Sequence, residues 1–90
     1  MKNNRLIVFE GIDQSGKRTQ SERLAQGFRR IDIRTEILAF PVYSSNIGKE
    51  IQRFLVEGYP LSLEAKHMLL SANRWEMKPL IDQWLNEGKY

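Results

Sequence analysis

Residues 9–20 read Phe9-Glu10-Gly11-Ile12-Asp13-Gln14-Ser15-Gly16-Lys17-Arg18-Thr19-Gln20. A short apolar run, Leu6 to Phe9, precedes this stretch, and a helical pattern of apolar residues follows it. Gly11, Gly16 and Lys17 have the spacing Gly-x-x-x-x-Gly-Lys of a phosphate-binding loop between a strand and a helix. The spacing has a chemical reason. Gly11 lets the chain turn sharply out of a strand, and Gly16 lets backbone approach a phosphate closely. The loop N–H groups then form an anion cradle at a helix N-terminus, and the Lys17 ammonium adds a point charge. One position departs from the pattern. Ser or Thr is expected after the lysine, where its hydroxyl reaches Mg²⁺, and Arg18 stands there. Thr19 comes one place later, and one residue along a helix turns a side chain by about 100°, so it does not simply substitute.

Working outward, the chain has 90 residues, which allows one small domain. A chain of this size buries about 60–65% of its unfolded surface. The net charge is +3. Acidic residues are interspersed among the basic ones, so there is no basic block of the kind that binds nucleic acid. A mild positive excess suits phosphorylated small molecules. There is no cysteine and a single histidine, His67, which excludes a disulfide framework, a thiolate metal site and a multi-histidine metal site. No apolar run approaches the roughly 18 residues of a membrane span, and Met1 to Arg5 leads into a strand without a secretory core. The expectation is a soluble, cytoplasmic protein with no membrane and no nucleic-acid partner.

In chain order, Arg5–Phe9 reads as a buried parallel strand. Lys17 to about Phe28 reads as a helix, with Leu24, Ala25 and Phe28 on one face. Gly27 weakens its end, and Arg29 and Arg30 suit a helix C-terminus. Arg34–Phe40 is a second strand candidate, ended by Pro41. Strand, helix and strand make a βαβ unit with a right-handed crossover. Ile47–Glu57 reads as a helix, with Ile47, Ile51, Phe54 and Leu55 at helical spacing and Gly58 at its left-handed end. Ser62 caps a further helix to about Glu76, with Ala65, Met68, Leu69 and Ala72 as core candidates. Trp75 reads as packed inside with Arg74 solvated. Pro79 opens a last helix, Lys78 to about Glu87, which buries Leu80, Ile81, Trp84 and Leu85 and is closed by Gly88. Two parallel strands are not an independent fold, and the sequence stops where a third strand is expected.

The motifs combine. Phe-Glu-Gly-Ile-Asp-x-Ser-Gly-Lys-x-Thr-Gln is followed by Phe40-Pro41, by Ile47-Gly48-Lys49, and by Leu69-Leu70-Ser71-Ala72-Asn73-Arg74-Trp75-Glu76 with Pro79-Leu80-Ile81 beyond. In this order and spacing the chain closely resembles thymidylate kinases over essentially its whole length. It corresponds to the N-terminal part, under half, of a family domain of roughly 200 residues, a length consistent with one α/β domain. The resemblance implies an α/β fold of the P-loop nucleoside-monophosphate-kinase type. Such a fold has a parallel sheet with flanking helices, incomplete here, and residues 1–90 would form the N-terminal part of a single domain. It implies transfer of the γ-phosphoryl group of Mg·ATP to dTMP, with ATP and Mg²⁺ as cosubstrate and metal, and a homodimer in the full-length form.

Position by position, the resemblance implies that the loop from Gly11 through Ile12, Asp13, Gln14, Ser15 and Gly16 to Lys17, Arg18 and Thr19 holds the ATP phosphates. Lys17 and Asp13 would be the catalytic residues, with Asp13 near the dTMP sugar hydroxyl and the migrating group. Phe40 and Pro41 match the loop beside dTMP, Leu70 the position that stacks on thymine, and Arg74 the arginine that contacts the base. Four residues depart from the family pattern. Gln14 stands where one subgroup has a catalytic arginine, which points to an arginine from the lid beyond Tyr90. Leu70 replaces a common phenylalanine, so an aliphatic contact stands in for an aromatic face. Tyr43 lies where some members have a phosphate-binding arginine, and Arg18 leaves the metal ligand unassigned. Two alternatives stay open: a truncated or split segment that acts as a binding or assembly half, and a P-loop kinase for another nucleoside monophosphate.

Overall fold

The computed structural model describes residues 5–12 and 14–90. Four helices occur in chain order: α1 (Lys17–Arg30), α2 (Asn46–Leu55), α3 (Leu63–Glu76) and α4 (Lys78–Asn86). The chain divides into two compact units. One comprises the residues up to Ile37 together with Ile81–Tyr90, and the other is Leu38–Leu80.

In the first unit, α1 begins directly after Gly16, whose φ of 89° is left-handed. This is a conformation glycine adopts without steric cost. The first helical bond runs from the Gln20 N–H to the Gly16 carbonyl at 2.9 Å. Ala25 is buried, and the Phe28 ring meets Tyr90 at 4.9 Å. Gly27 does not end the helix, which continues to Arg30. The chain reverses instead at Asp32, with φ 63°. There the Ile33 N–H donates to Phe28 O at 2.9 Å and the Asp32 N–H to Arg29 O at 3.2 Å, a Schellman closure built on an aspartate. Helix α4 closes with the same two bonds, Lys89 N–H to Trp84 O and Gly88 N–H to Leu85 O, both 3.0 Å. Its left-handed residue is the expected glycine, Gly88.

No strand is formed among the described residues. The two segments read as strands, 5–9 and 34–40, run without helix or ladder, so the parallel sheet and its right-handed crossover are not seen here. A parallel strand exists only against a neighbour. The second segment does make one such contact. The Tyr90 N–H donates to Arg34 O at 2.8 Å and the Glu36 N–H donates to Tyr90 O at 2.9 Å. One residue bonded to both flanks of a residue opposite is the parallel pattern. Lys89 pairs with Glu36 at 3.3 Å, and Arg34 donates to the Glu87 carbonyl, so side chains reinforce the same junction.

In the second unit, α2 packs on α3. Ile51 and Phe54 are buried between them, as their spacing predicts, while Leu55 is exposed. Ser45 caps α2 and Ser62 caps α3, each hydroxyl accepting a backbone N–H three residues on. Gly58 is left-handed just past α2. Helix α3 turns outward two residues whose spacing predicts burial. Met68 and Trp75 are 75% and 71% exposed. The buried residue of α3 is Asn73. Trp75 and Met68 lie about 200° and 140° around the helix from it, on the far face.

Candidate functional site: a phosphate loop and a loop–helix cluster

The phosphate loop lies wholly in the first unit. Among its described residues, Gln14 at φ 63° and Gly16 at φ 89° are left-handed. Gly11 has no such φ; a Cβ there would lie 2.7 Å from the Ser15 hydroxyl, which would have to turn aside. The Ser15 N–H donates to Ile12 O at 3.2 Å and closes the turn. Among the described residues, helix α1 carries no side-chain cap and no acidic residue in its first turn. Its leading N–H groups are the ones that lack helical partners, and the helix dipole places positive potential there. Lys17 folds back over the loop, its Nζ donating to the Gly11 carbonyl at 2.6 Å. An ammonium is thus held over a ring of backbone at a helix start, a geometry that accepts an anionic oxygen.

Ile12, Gln14, Ser15 and Thr19 are exposed residues of the same loop and first helical turn. Asp13 lies outside the described residues. Arg18 points to solvent: its side chain is 92% exposed and pairs with Glu22 at 3.3 Å. No group of three or more His, Asp or Glu able to hold a metal ion occurs among the described residues. With Arg18 at the position of the usual hydroxyl, the side chains of the described residues do not form a Mg²⁺ site.

Phe40, Pro41, Leu70 and Arg74 lie in the second unit. The Phe40–Pro41 peptide bond is cis. Leu70 is half-buried and Arg74 exposed on α3, one turn apart and so on one face. Residues that sequence reasoning assigned no role join this loop to this helix. Asn73 is 1% exposed. Its Oδ1 accepts the Val42 N–H at 2.9 Å, and its Nδ2 donates to Ser45 Oγ at 3.0 Å and to Glu76 Oε1 at 3.1 Å. Glu76 Oε2 accepts the Ile47 N–H at 3.2 Å. Ser45 Oγ donates to Val42 O at 2.7 Å and accepts the Gly48 N–H at 3.0 Å. The Ser45 hydroxyl, when its proton turns from Val42 O to the carboxylate, then the Ile47 N–H and the Asn73 amide, hold the Glu76 carboxyl below its ordinary 4.5; partial burial works the other way and loses. Gly48 completes the joint, since a Cβ there would fall 1.6 Å from the Val42 carbonyl oxygen. The only sequence signal for this network was the run Ser-Ala-Asn-Arg-Trp-Glu, where Arg74 drew attention and Asn73 did not.

Comparison with known proteins bears on both clusters. The sequence model of the family described as thymidylate kinase matches residues 9–90. The thymidylate kinase of Homo sapiens is 42% identical over 83 residues, 92% of this chain and 39% of that protein. That of Danio rerio is 42% identical over the same length. That of Schizosaccharomyces pombe is 40% identical over 84 residues, 93% of this chain and 40% of that protein. The chain therefore spans about two fifths of the length of the curated relatives it matches. A match that enters at the phosphate loop, passes through the loop–helix cluster and runs to the last residue has one consequence: this chain belongs to the thymidylate kinase family.

Proposed function

We propose that the chain is the N-terminal part of a single P-loop kinase domain that transfers the γ-phosphoryl group of Mg·ATP to dTMP, giving dTDP and ADP. In this reading a phosphate oxygen of dTMP attacks the γ-phosphorus, and the bond to the β-phosphate oxygen breaks. Loop N–H groups orient the ATP phosphates, and Lys17 stabilises the charge that develops on the migrating group. Asp13 positions the acceptor sugar. Arg74 donates to a thymine carbonyl oxygen, and Phe40, Pro41 and Leu70 flank the base. The observation that carries the reading is the uncapped start of α1 with Lys17 bound across the loop. Mg²⁺ would enter with the ATP phosphates, and no residue is assigned to it. A parallel sheet, a cytoplasmic location and a homodimer complete the proposal. The dimer draws support from the apolar face of α3, where His67, Met68, Ser71, Ala72 and Trp75 line a shallow surface. No helix among the described residues is long and apolar enough to cross a membrane.

Equilibrium titration of the chain with ATP, dTMP and other nucleoside monophosphates tests this reading. Binding of ATP and preference for dTMP are expected. Lys17→Ala should weaken ATP by about tenfold or more, the worth of a charge-assisted hydrogen bond. Equal affinity for all monophosphates would favour a kinase for another acceptor.

A second reading, a binding or assembly half, draws on the extended segment 5–9, where Leu6 and Val8 are exposed. Exposed apolar backbone without a ladder invites a strand from elsewhere. Cooperative unfolding of the chain as an isolated monomer would count against this second reading.

A further inference from the structure

We propose that Asn73 is a positioning residue that sets the width of the acceptor site, tying the Phe40–Pro41 loop to the helix that carries Leu70 and Arg74. The proposal rests on the dTMP reading above. Asparagine is a poor helix former, and a polar side chain sealed from water costs free energy unless its hydrogen bonds are made. Asn73 makes them in three directions, to Val42, Ser45 and Glu76. Packing alone does not call for this, because replacing both partners of a buried hydrogen bond by apolar groups can leave stability nearly unchanged. What the amide supplies is direction. Val42 follows Pro41 immediately, and Asn73 immediately precedes Arg74 and lies three residues after Leu70. One side chain thus fixes the loop wall and the helix wall within a residue of each. Segment 40–45 belongs to no helix, so its place against α3 depends on these bonds and on the Ile47–Glu76 bond beyond them.

The experiment compares dTMP with dUMP, which lacks only the 5-methyl group, in titrations of the chain and its variants. Val42 amide exchange is followed alongside. Asn73→Ala should weaken dTMP by about tenfold, narrow the dTMP-to-dUMP ratio, and expose the Val42 amide, while ATP affinity stays within about twofold because the phosphate loop keeps its own bonds. Asn73→Asp places a second carboxylate against Glu76 and should behave similarly. Combining Asn73→Asp with Glu76→Gln exchanges acid and amide across the same contact and should restore the ratio and the Val42 protection. A merely structural role would not produce that recovery of selectivity. If Asn73→Ala does not fold, Ser45→Ala removes one of its partners and should move the ratio in the same direction by less. An unchanged ratio in Asn73→Ala, or a double variant that recovers Val42 protection without selectivity, overturns the proposal. Arg74→Ala separates the two readings. If it leaves dTMP binding intact, or if the chain shows no preference for dTMP, the acceptor-site reading fails and the positioning role falls with it. If Arg74→Ala weakens dTMP and Asn73→Ala does not, only the positioning role fails.

Discussion

Helix α1 starts at Gly16 with no side-chain cap and no acid in its first turn. Helix α2 starts at Ser45 with its hydroxyl on the Gly48 N–H and the Glu76 carboxylate of a neighbouring helix on the Ile47 N–H. Both helix starts present orphan N–H groups and the positive end of a dipole. At α2 the protein supplies its own anion and a hydroxyl, and the helix is locked to α3. At α1 the group held there among the described residues is the cation Lys17, on a carbonyl. An N-terminus filled from within is a structural joint; one to which no described residue brings an anion can take a guest. The difference lies in whether a carboxylate from another part of the chain reaches the helix start.

Perturbing the joint should give the largest effect. Gly48→Ala drives a methyl group into the Val42 carbonyl, 1.6 Å from where its Cβ would stand, and backbone cannot rotate away as a side chain can. We expect a loss of about 4 kcal/mol or more in urea unfolding, with the packing of α2 on α3 lost first. A cost near the ordinary glycine-to-alanine helix difference, where alanine is the better residue, would show the joint to be loose. Acid comes next. Because the folded Glu76 carboxyl lies below its ordinary 4.5, its contribution is fully present above that value. It is lost as pH falls from about the ordinary value through the lowered one. Unfolding midpoints should therefore drop over that window, and Glu76→Gln should flatten the profile there; parallel profiles would remove Glu76 from the joint. The smallest effect belongs to α1. Thr19→Glu gives its first turn the acid it lacks and should stabilise the helix by about 0.3–1 kcal/mol, while weakening ATP by filling the same field. Tighter ATP binding in this variant would end the analogy between the two helix starts.

The same contrast explains what could be read from the sequence. The phosphate loop was legible because its determinants are local: Gly11, Gly16 and Lys17 lie within seven residues. The helices were legible for the same reason, through Gly58, Ser62 and Gly88 at or just past their ends. Where a local rule had two candidates it misled. Gly27 reads as weakening the end of a helix that runs to about Phe28, yet the helix continues to Arg30 and the left-handed turn falls on Asp32, because a Schellman closure needs its two bonds as much as its glycine. Asn73 was not legible, since two of its three partners lie 28 and 31 residues away and no periodicity marks a polar residue as the buried one. Trp75 was misread for the complementary reason: the side of α3 that is buried is fixed by Asn73 reaching Val42 and Ser45, and this turns the indole outward. The strands had apolar, β-prone sequences, but a sheet is a property of neighbours, and among the described residues only the Arg34–Glu36 segment was found paired, with Tyr90.

The hydrogen bond from Lys17 to the Gly11 carbonyl, at 2.6 Å, makes phosphate entry a substitution. The ammonium must exchange one oxygen for another, so the gain on binding is the difference between a phosphate oxygen and a peptide oxygen, and it is smaller than the full strength of an ion contact. In return, a side chain that in solution would sample many rotamers, at up to about 1.5–2 kcal/mol of entropy, is already gathered over the loop. The resident bond therefore sets a floor on selectivity: a ligand that offers Lys17 an oxygen no more negative than an amide carbonyl has nothing to displace it with.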